Sequence, residues 1–271
     1  MMLCEGIFDI QIRSRKNMEL WFGVVLICLV IVAALYSSVG HGGASGYLAV
    51  LSLTVLASKD AVWLKQHVWC LNLVVAAIAF WHFNRAGHHI FKLTLPFIIG
   101  SIPFAIIGGY LKVDGGIYDA LLSLTLIWAA WRLFTAGSDD VDQEDKIVSV
   151  RPRTALGVGG SIGLVSGIVG VGGGIFLSPV ILLKKWGSPK VAAATAALFI
   201  WVNSAAGLIG TSLSGQLNLD WYYVGWFVGA VLVGGFVGSR YGAEIAPQQM
   251  VRRLLVVVLV VAATKRVFEL I

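Results

Sequence analysis

The chain has 271 residues, of which 58% are hydrophobic and 13% charged, with 20 Lys and Arg against 14 Asp and Glu and a formal net charge of +6. A soluble fold of this length has too little interior for that much apolar surface, and a disordered chain would carry far less of it. What remains is an all-α integral membrane protein, and its basic residues, scattered between apolar runs, fit an orientation signal and not a nucleic-acid surface.

Residues 1–17 are mixed in character and read as an N-terminal extension. The first apolar run, 19–39, leads into Ser-Ser-Val-Gly-His-Gly-Gly. Cleavage of a signal peptide there would destroy the best motif in the chain, so the run reads as a retained membrane helix. Further runs follow at 44–57, 61–83, 90–111 and 116–135, then at 154–170, 174–186, 190–213, 220–239 and 248–269. Most approach the roughly 20 residues a membrane crossing needs. Two, 44–57 and 174–186, are too short and read as half-helices or re-entrant segments. The polar stretch 136–153 divides the chain into a first repeat, 18–135, and a second, 154–271. Cys4, Cys28 and Cys70 form no disulfide framework.

The two halves resemble one another. Val39-Gly40-His41-Gly42-Gly43 aligns with Val169-Gly170-Val171-Gly172-Gly173 at an offset of 130, Asn72 with Asn203 at 131, and Gly108-Gly109-Tyr110 with Gly234-Gly235-Phe236 at 126. Each half holds five apolar segments, the second being the short one. An odd number of crossings per half turns the second copy upside down, which predicts two inverted repeats. Twelve basic residues fall on one set of loops and 5 on the other, or 8 with the N-terminal extension. That bias places 136–153 in the cytoplasm and both termini outside. Lys65 is counted with the outer set and Lys190 with the inner.

The strongest chemical feature is the pair of glycine breaks. Glycine costs up to about 1 kcal/mol per residue in a helix interior, so three within four positions unwind it. Freed backbone in a membrane needs cover from protein or water. The helix that restarts after each break presents unpaired amides at the positive end of its dipole, and glycine lets an anion approach them. Gly40, His41, Gly42, Gly43, Ala44 and Ser45 form one such start, and Gly170, Gly172, Gly173 and Gly174 the other. Brought together, they would hold an anion near mid-membrane. The bland alternative is close helix packing, which suits Gly108, Gly109, Gly234 and Gly235.

With these two motifs, the mid-run asparagines, and Phe83-Asn84-Arg85-Ala86-Gly87-His88 leading into Leu93-Thr94-Leu95-Pro96, the sequence resembles the TauE/SafE sulfite-exporter family from about residue 20 to 269. The resemblance implies a multi-pass transporter of a small sulfur oxyanion or sulfonate, such as sulfite, thiosulfate or an organosulfonate, in a bacterial inner membrane. One departure is His41 where the second motif has Val171.

Other polar residues inside the runs extend the candidate set. Asn72 and Asn203 can line the site or tie helices together. Thr195 precedes Asn203 by two turns and shares its face, with Ser204 to one side. Ser37, Ser38 and Ser45 flank the first break and carry hydroxyl donors. His41 can bear charge beside the anion, relay a proton, or simply bond to the broken backbone. His82, His88 and His89 lie at a membrane boundary without a carboxylate or cysteine to complete a metal site. Trp21, Trp63, Trp81, Trp186 and Trp221 sit near run ends, where an aromatic belt is expected.

No cofactor motif is present, and His41 alone is too little for an enzyme active site. The chain holds no nucleotide-binding domain, so transport would draw on the substrate gradient or on a coupling ion, proton or sodium. A carrier of another small anion or organic acid, and a membrane assembly partner without transport, are the alternatives.

Overall fold

The computed structural model describes residues 2–52, 54, 56, 59–112, 149–251, 253, 254 and 257. Among these residues there is no strand, and eight α-helices follow in order: α1 (Met2–Ser37), α2 (Ala44–Ser52), α3 (Ala61–Arg85), α4 (Phe91–Tyr110), α5 (Pro152–Val169), α6 (Gly174–Leu183), α7 (Pro189–Leu213) and α8 (Trp221–Arg240). A single π-helical turn, Tyr241–Ile245, continues α8. The apolar run 116–135, linker residues 136–148 and most of 248–269 lie outside the described residues.

Helix boundaries follow ordinary capping rules. Asp60 accepts from the Trp63 amide at 2.6 Å to open α3, and Asp220 accepts from the Tyr222 amide at 3.1 Å to open α8. Pro152 and Pro189 stand in the first turns of α5 and α7, where their missing N–H costs nothing. α5 stops at Gly170 in a left-handed conformation. α1 is continuous from Met2, so it takes in the stretch read as an N-terminal extension.

Five described helices are long and apolar enough to cross a membrane: Leu20–Ser37, Val62–Arg85, Phe91–Tyr110, Pro189–Leu213 and Trp221–Ile245. Their outward faces are apolar, with Ile27, Ile31, Ile99, Trp226 and Val233 exposed. Such faces suit lipid and would be untenable in water. This is a multi-pass membrane protein.

Glycine carries the packing between helices. On α8 and its π-turn, Gly234, Gly238 and Gly242 lie four residues apart and touch the carbonyls of Val30 and Ala34 in α1 and of Ser38 just after it. On α5, Gly159, Gly163 and Gly167 repeat the spacing against Phe97, Ser101 and Ala105 of α4, while Gly100 and Gly108 of α4 lean back on Leu156 and Leu164. Gly109 meets Gly207 of α7, and Gly235 meets Val75 of α3. Gly108, Gly109, Gly234 and Gly235 are therefore packing glycines, as their spacing suggested. Backbones this close exchange dispersion contacts that any larger residue would prevent. α3 and α7 cross at the centre, each flanked by helices of the other half: α3 by α8, and α7 by α4.

Two readings of the sequence need correction. Trp21, Trp81 and Trp221 do face outward, but Trp63 and Trp186 are buried. Trp63 stacks on His67 at 3.7 Å between ring centroids, and Trp186 packs on Phe97 at 5.8 Å. A run-end tryptophan turns inward when aromatic partners stand behind it. Lys65 and Lys190, counted with loop charges, lie within α3 and α7 and are buried. Lys190 donates from Nζ to the Ala243 carbonyl at 3.1 Å; His88 Nε2 reaches the same carbonyl, also at 3.1 Å. Ala243 lies in the last turn before the chain leaves the helix at Ala246, where carbonyls lack an intrahelical donor and are open to side chains.

Candidate functional site

Both glycine breaks are built as the sequence predicts, each opening a short helix. Gly40 and Gly43 adopt φ of 73° and 97°; Gly170, Gly172 and Gly173 adopt 84°, 76° and 82°. These left-handed values favour glycine, which has no Cβ to clash. α2 then starts at Ala44 with nine residues and α6 at Gly174 with ten. Amides in a first turn have no intrahelical acceptor. Among the described residues those of Gly42, Gly43 and Ala44, and of Gly172 and Gly173, find none elsewhere, while the Gly174 backbone meets the His41 ring. No side chain caps α6.

The two breaks converge on one side chain. Asn72 of α3 is fully buried, with its amide between them. A Cβ on Gly42 would strike Asn72 Oδ1, and one on Gly172 would stand 2.9 Å from Asn72 Nδ2. Ile200 of α7 touches both glycines, and Ser204 of α7 adjoins Gly172. Each break also rests on the central helix of the opposite half, Gly40 on the Ala193 backbone and Gly170 on the stem of Lys65.

His41, between the glycines, is buried. Its Nδ1 donates to the Val39 carbonyl at 2.9 Å, and the ring also faces the backbone of Gly174. The imidazole therefore spans the first break and the start of α6. With Nδ1 committed as donor, the neutral ring presents Nε2 as a bare acceptor, and Nε2 has no partner among the described residues. Asn72 Oδ1, Asn203 Oδ1, Tyr47 Oη, Trp69 Nε1, Ser166 Oγ and Ser178 Oγ are also buried without partners among the described residues. Buried polar atoms are normally satisfied, so those beside the breaks, on Asn72, Tyr47 and Ser166, leave bonding capacity for a ligand.

Other candidates bond elsewhere in part or in whole. Asn203 is buried, but its Nδ2 donates to Phe199 O at 2.9 Å within α7; its neighbour Ser204 is the residue that meets Asn72. Thr195 shares a hydrogen bond of 3.1 Å with Thr94 of α4, which ties two helices and does not touch the breaks. Ser45 pairs with Tyr36 Oη at 2.9 Å, while Ser37 and Ser38 donate back to Ala34 and Leu35 of their own helix. Hydroxyls in helices commonly fold back in this way, which withdraws Ser37 and Ser38 as donors. The described carboxylates Asp60, Asp220 and Glu244 stand at helix ends, away from Asn72. Asp119 lies outside the described residues. His82, His88 and His89 bond separately, to Ser239, Ala243 and Thr94. An apolar groove of about 510 Å³ lies between α5 and α6, lined by Ile162, Val165, Phe176 and Val180, and includes none of the residues around Asn72.

Sequence reasoning missed Tyr47, Ser166, Ser178 and Ile200. The helical spacing of Ile200 and Ser204 to either side of Asn203 was the only available clue. Comparison with known proteins decides the family. The profile described as sulfite exporter TauE/SafE matches residues 25–266. The chain belongs to the TauE/SafE family. TauE/SafE membership extends over nearly all of it, both breaks included. A probable membrane transporter protein of Sinorhizobium fredii, y4hK, is 33% identical over 244 residues, covering 88% of this chain and 95% of that protein. A probable membrane transporter protein of Bacillus subtilis, YunE, is 26% identical over 267 residues, covering 88% and 93%. No solved structure gives a significant match. As a TauE/SafE protein, the chain is a membrane transporter by family.

Proposed function

We propose that this TauE/SafE protein is a secondary transporter of a small sulfur-containing anion: sulfite, thiosulfate or an organosulfonate. The observation that carries the reading is the convergence of Gly42 and Gly172 on Asn72. It brings two helix starts, each with unpaired amides and the positive end of a dipole, to one buried amide side chain. Gly43, Ala44 and Gly173 supply further amides, and Ser204 a hydroxyl. His41 faces both starts and holds or passes a proton. The free backbone amides and the Ser204 hydroxyl supply donors, and among the described residues no carboxylate stands beside them, a balance that favours an anion over a cation.

The architecture proposed is two inverted repeats related by a twofold axis in the membrane plane. The helix pairs support it. Exchanging the halves turns α1 on α8 into α5 on α4, and α3 on α8 into α7 on α4, and each of these contacts exists. The short helices α2 and α6 are the re-entrant elements of that plan, and the driving force is a proton or sodium gradient, or that of the anion itself.

Uptake into proteoliposomes containing only this chain tests the reading. Sulfite, thiosulfate and a sulfonate should be transported in preference to chloride and acetate, and Gly42→Ala should abolish the flux. Transport of acetate or chloride alone would redirect the site to another anion. A chain that folds and transports nothing would point to an assembly partner.

A further inference from the structure

Lys65 is 4% exposed, in the second turn of α3. Lys65, Trp69 and Asn72 follow one another at helical spacing, so they form a line on one face of α3 ending at the meeting point of the breaks. The stem of Lys65 packs on Gly170, where a Cβ would stand 2.6 Å from Lys65 Cβ. Its ammonium lies over the Trp69 ring, 5.4 Å from the centroid. That indole is itself buried against Gly207 of α7, and its Nε1–H has no acceptor among the described residues.

Lys65 has no carboxylate or carbonyl partner among the described residues. Lys190, the other buried lysine, is satisfied by the Ala243 carbonyl. A lysine whose stem is enclosed in a membrane protein and whose ammonium has no counter-ion among the described residues is placed to meet an anionic ligand. Lys65 and Trp69 offer hydrogen-bond donors and a positive charge but no acceptor. An oxyanion has the opposite inventory.

We propose that Lys65 is the charge-balancing and specificity-determining residue of the anion site. It receives the anion on the α3 side of Asn72, beside Trp69, and supplies the formal charge that backbone amides lack. The proposal rests on the reading that an anion binds at Asn72. It assigns the site to ligands with a full negative charge and excludes neutral analogues of the same shape.

The test uses the full chain, purified, with Lys65→Met, Lys65→Gln and Lys65→Arg. Sodium sulfite and sodium thiosulfate are the probes, with sodium chloride at matched ionic strength as control. Thermal shift and proteoliposome uptake are both read. Methionine keeps an apolar chain of similar length in place of the buried stem, so that variant is expected to fold. In the Met and Gln variants KM should rise about tenfold or more, with Vmax within about twofold, and the anion-dependent thermal shift should disappear. Arginine should return KM to within about threefold of wild type. Met or Gln variants with wild-type KM would overturn the proposal while leaving the site at Asn72 standing. So would an equal rise in all three variants, or a fold lost in Met and Gln and kept in Arg, since each would make Lys65 a packing or structural residue. Wild-type protein that neither shifts nor transports with either probe would overturn the binding site itself, and Lys65 with it.

Discussion

Asn72 Nδ2 reaches Ser204 Oγ at 3.4 Å, so a hydrogen bond joins the two central helices where both glycine breaks meet. The rest of the Asn72 amide faces the breaks, with Oδ1 unpaired among the described residues. Asn72→Asp keeps the shape and places a negative charge there. It should weaken anion binding at least about tenfold, because like charges meet in a poorly screened site. Ser204→Ala removes one hydroxyl and should cost less than Asn72→Asp. Titration of the thermal shift with thiosulfate for both variants orders the two effects, and the reverse order would move the centre of the site from Asn72 toward α7.

His41 makes a second prediction. Its Nδ1 is held by the Val39 carbonyl, so any proton gained goes to Nε2, which faces the buried cluster. A ring that gains this proton becomes cationic beside the anion. Flux should therefore rise as pH falls, and His41→Asn, which cannot gain a proton, should flatten the profile. Uptake measured between pH 5 and 8 checks this. An unchanged profile with normal flux in the variant would make His41 a clamp for the broken backbone.

The packing glycines can be separated from the others by stability. A Cβ on Gly238 would collide with the Ala34 carbonyl of α1, whereas one on Gly229, in the same helix, meets nothing within 4 Å. Gly238→Ala should cost roughly 1–3 kcal/mol by overpacking. Gly229→Ala should stabilise by roughly 0.5–1 kcal/mol through reduced backbone entropy in the unfolded chain. Melting of the two variants in detergent should move in opposite directions.

Topology is tested with reporters. One that is active only in the cytoplasm should work inside 136–153 and stay silent after Ile271. The opposite result would reverse the orientation and leave the repeat intact, since the repeat rests on internal alignment and not on charge.

The helices were legible in the sequence because run length and caps decide them. Asp60, Pro152, Pro189 and Asp220 mark starts within a residue or two of the apolar boundaries. The breaks were legible because few arrangements other than a backbone at positive φ call for so many adjacent glycines. The partner across from Asn72 was less so. An offset of 131 pairs it with Asn203, yet Ser204 makes the contact, and one residue on a helix is a turn of about 100°. Small differences in loop length between the halves shift that phase, and no spacing rule reveals it. Lys65 was hidden for a different reason. A lysine one turn into an apolar run looks like a boundary charge, and only the arrival of Gly170 and Trp69 around its stem shows it to be enclosed.

The glycine ladders have a mechanical consequence. Gly234, Gly238 and Gly242 set α8, from the second half of the chain, backbone to backbone against α1 from the first. Gly159, Gly163 and Gly167 do the same for α5 and α4. Both seams cross from one half to the other, and at the glycines the two backbones are in direct contact. Contact this close at two places opposes a rocking of the halves as separate blocks. An opening that keeps both seams would carry α1 with α8 and α4 with α5.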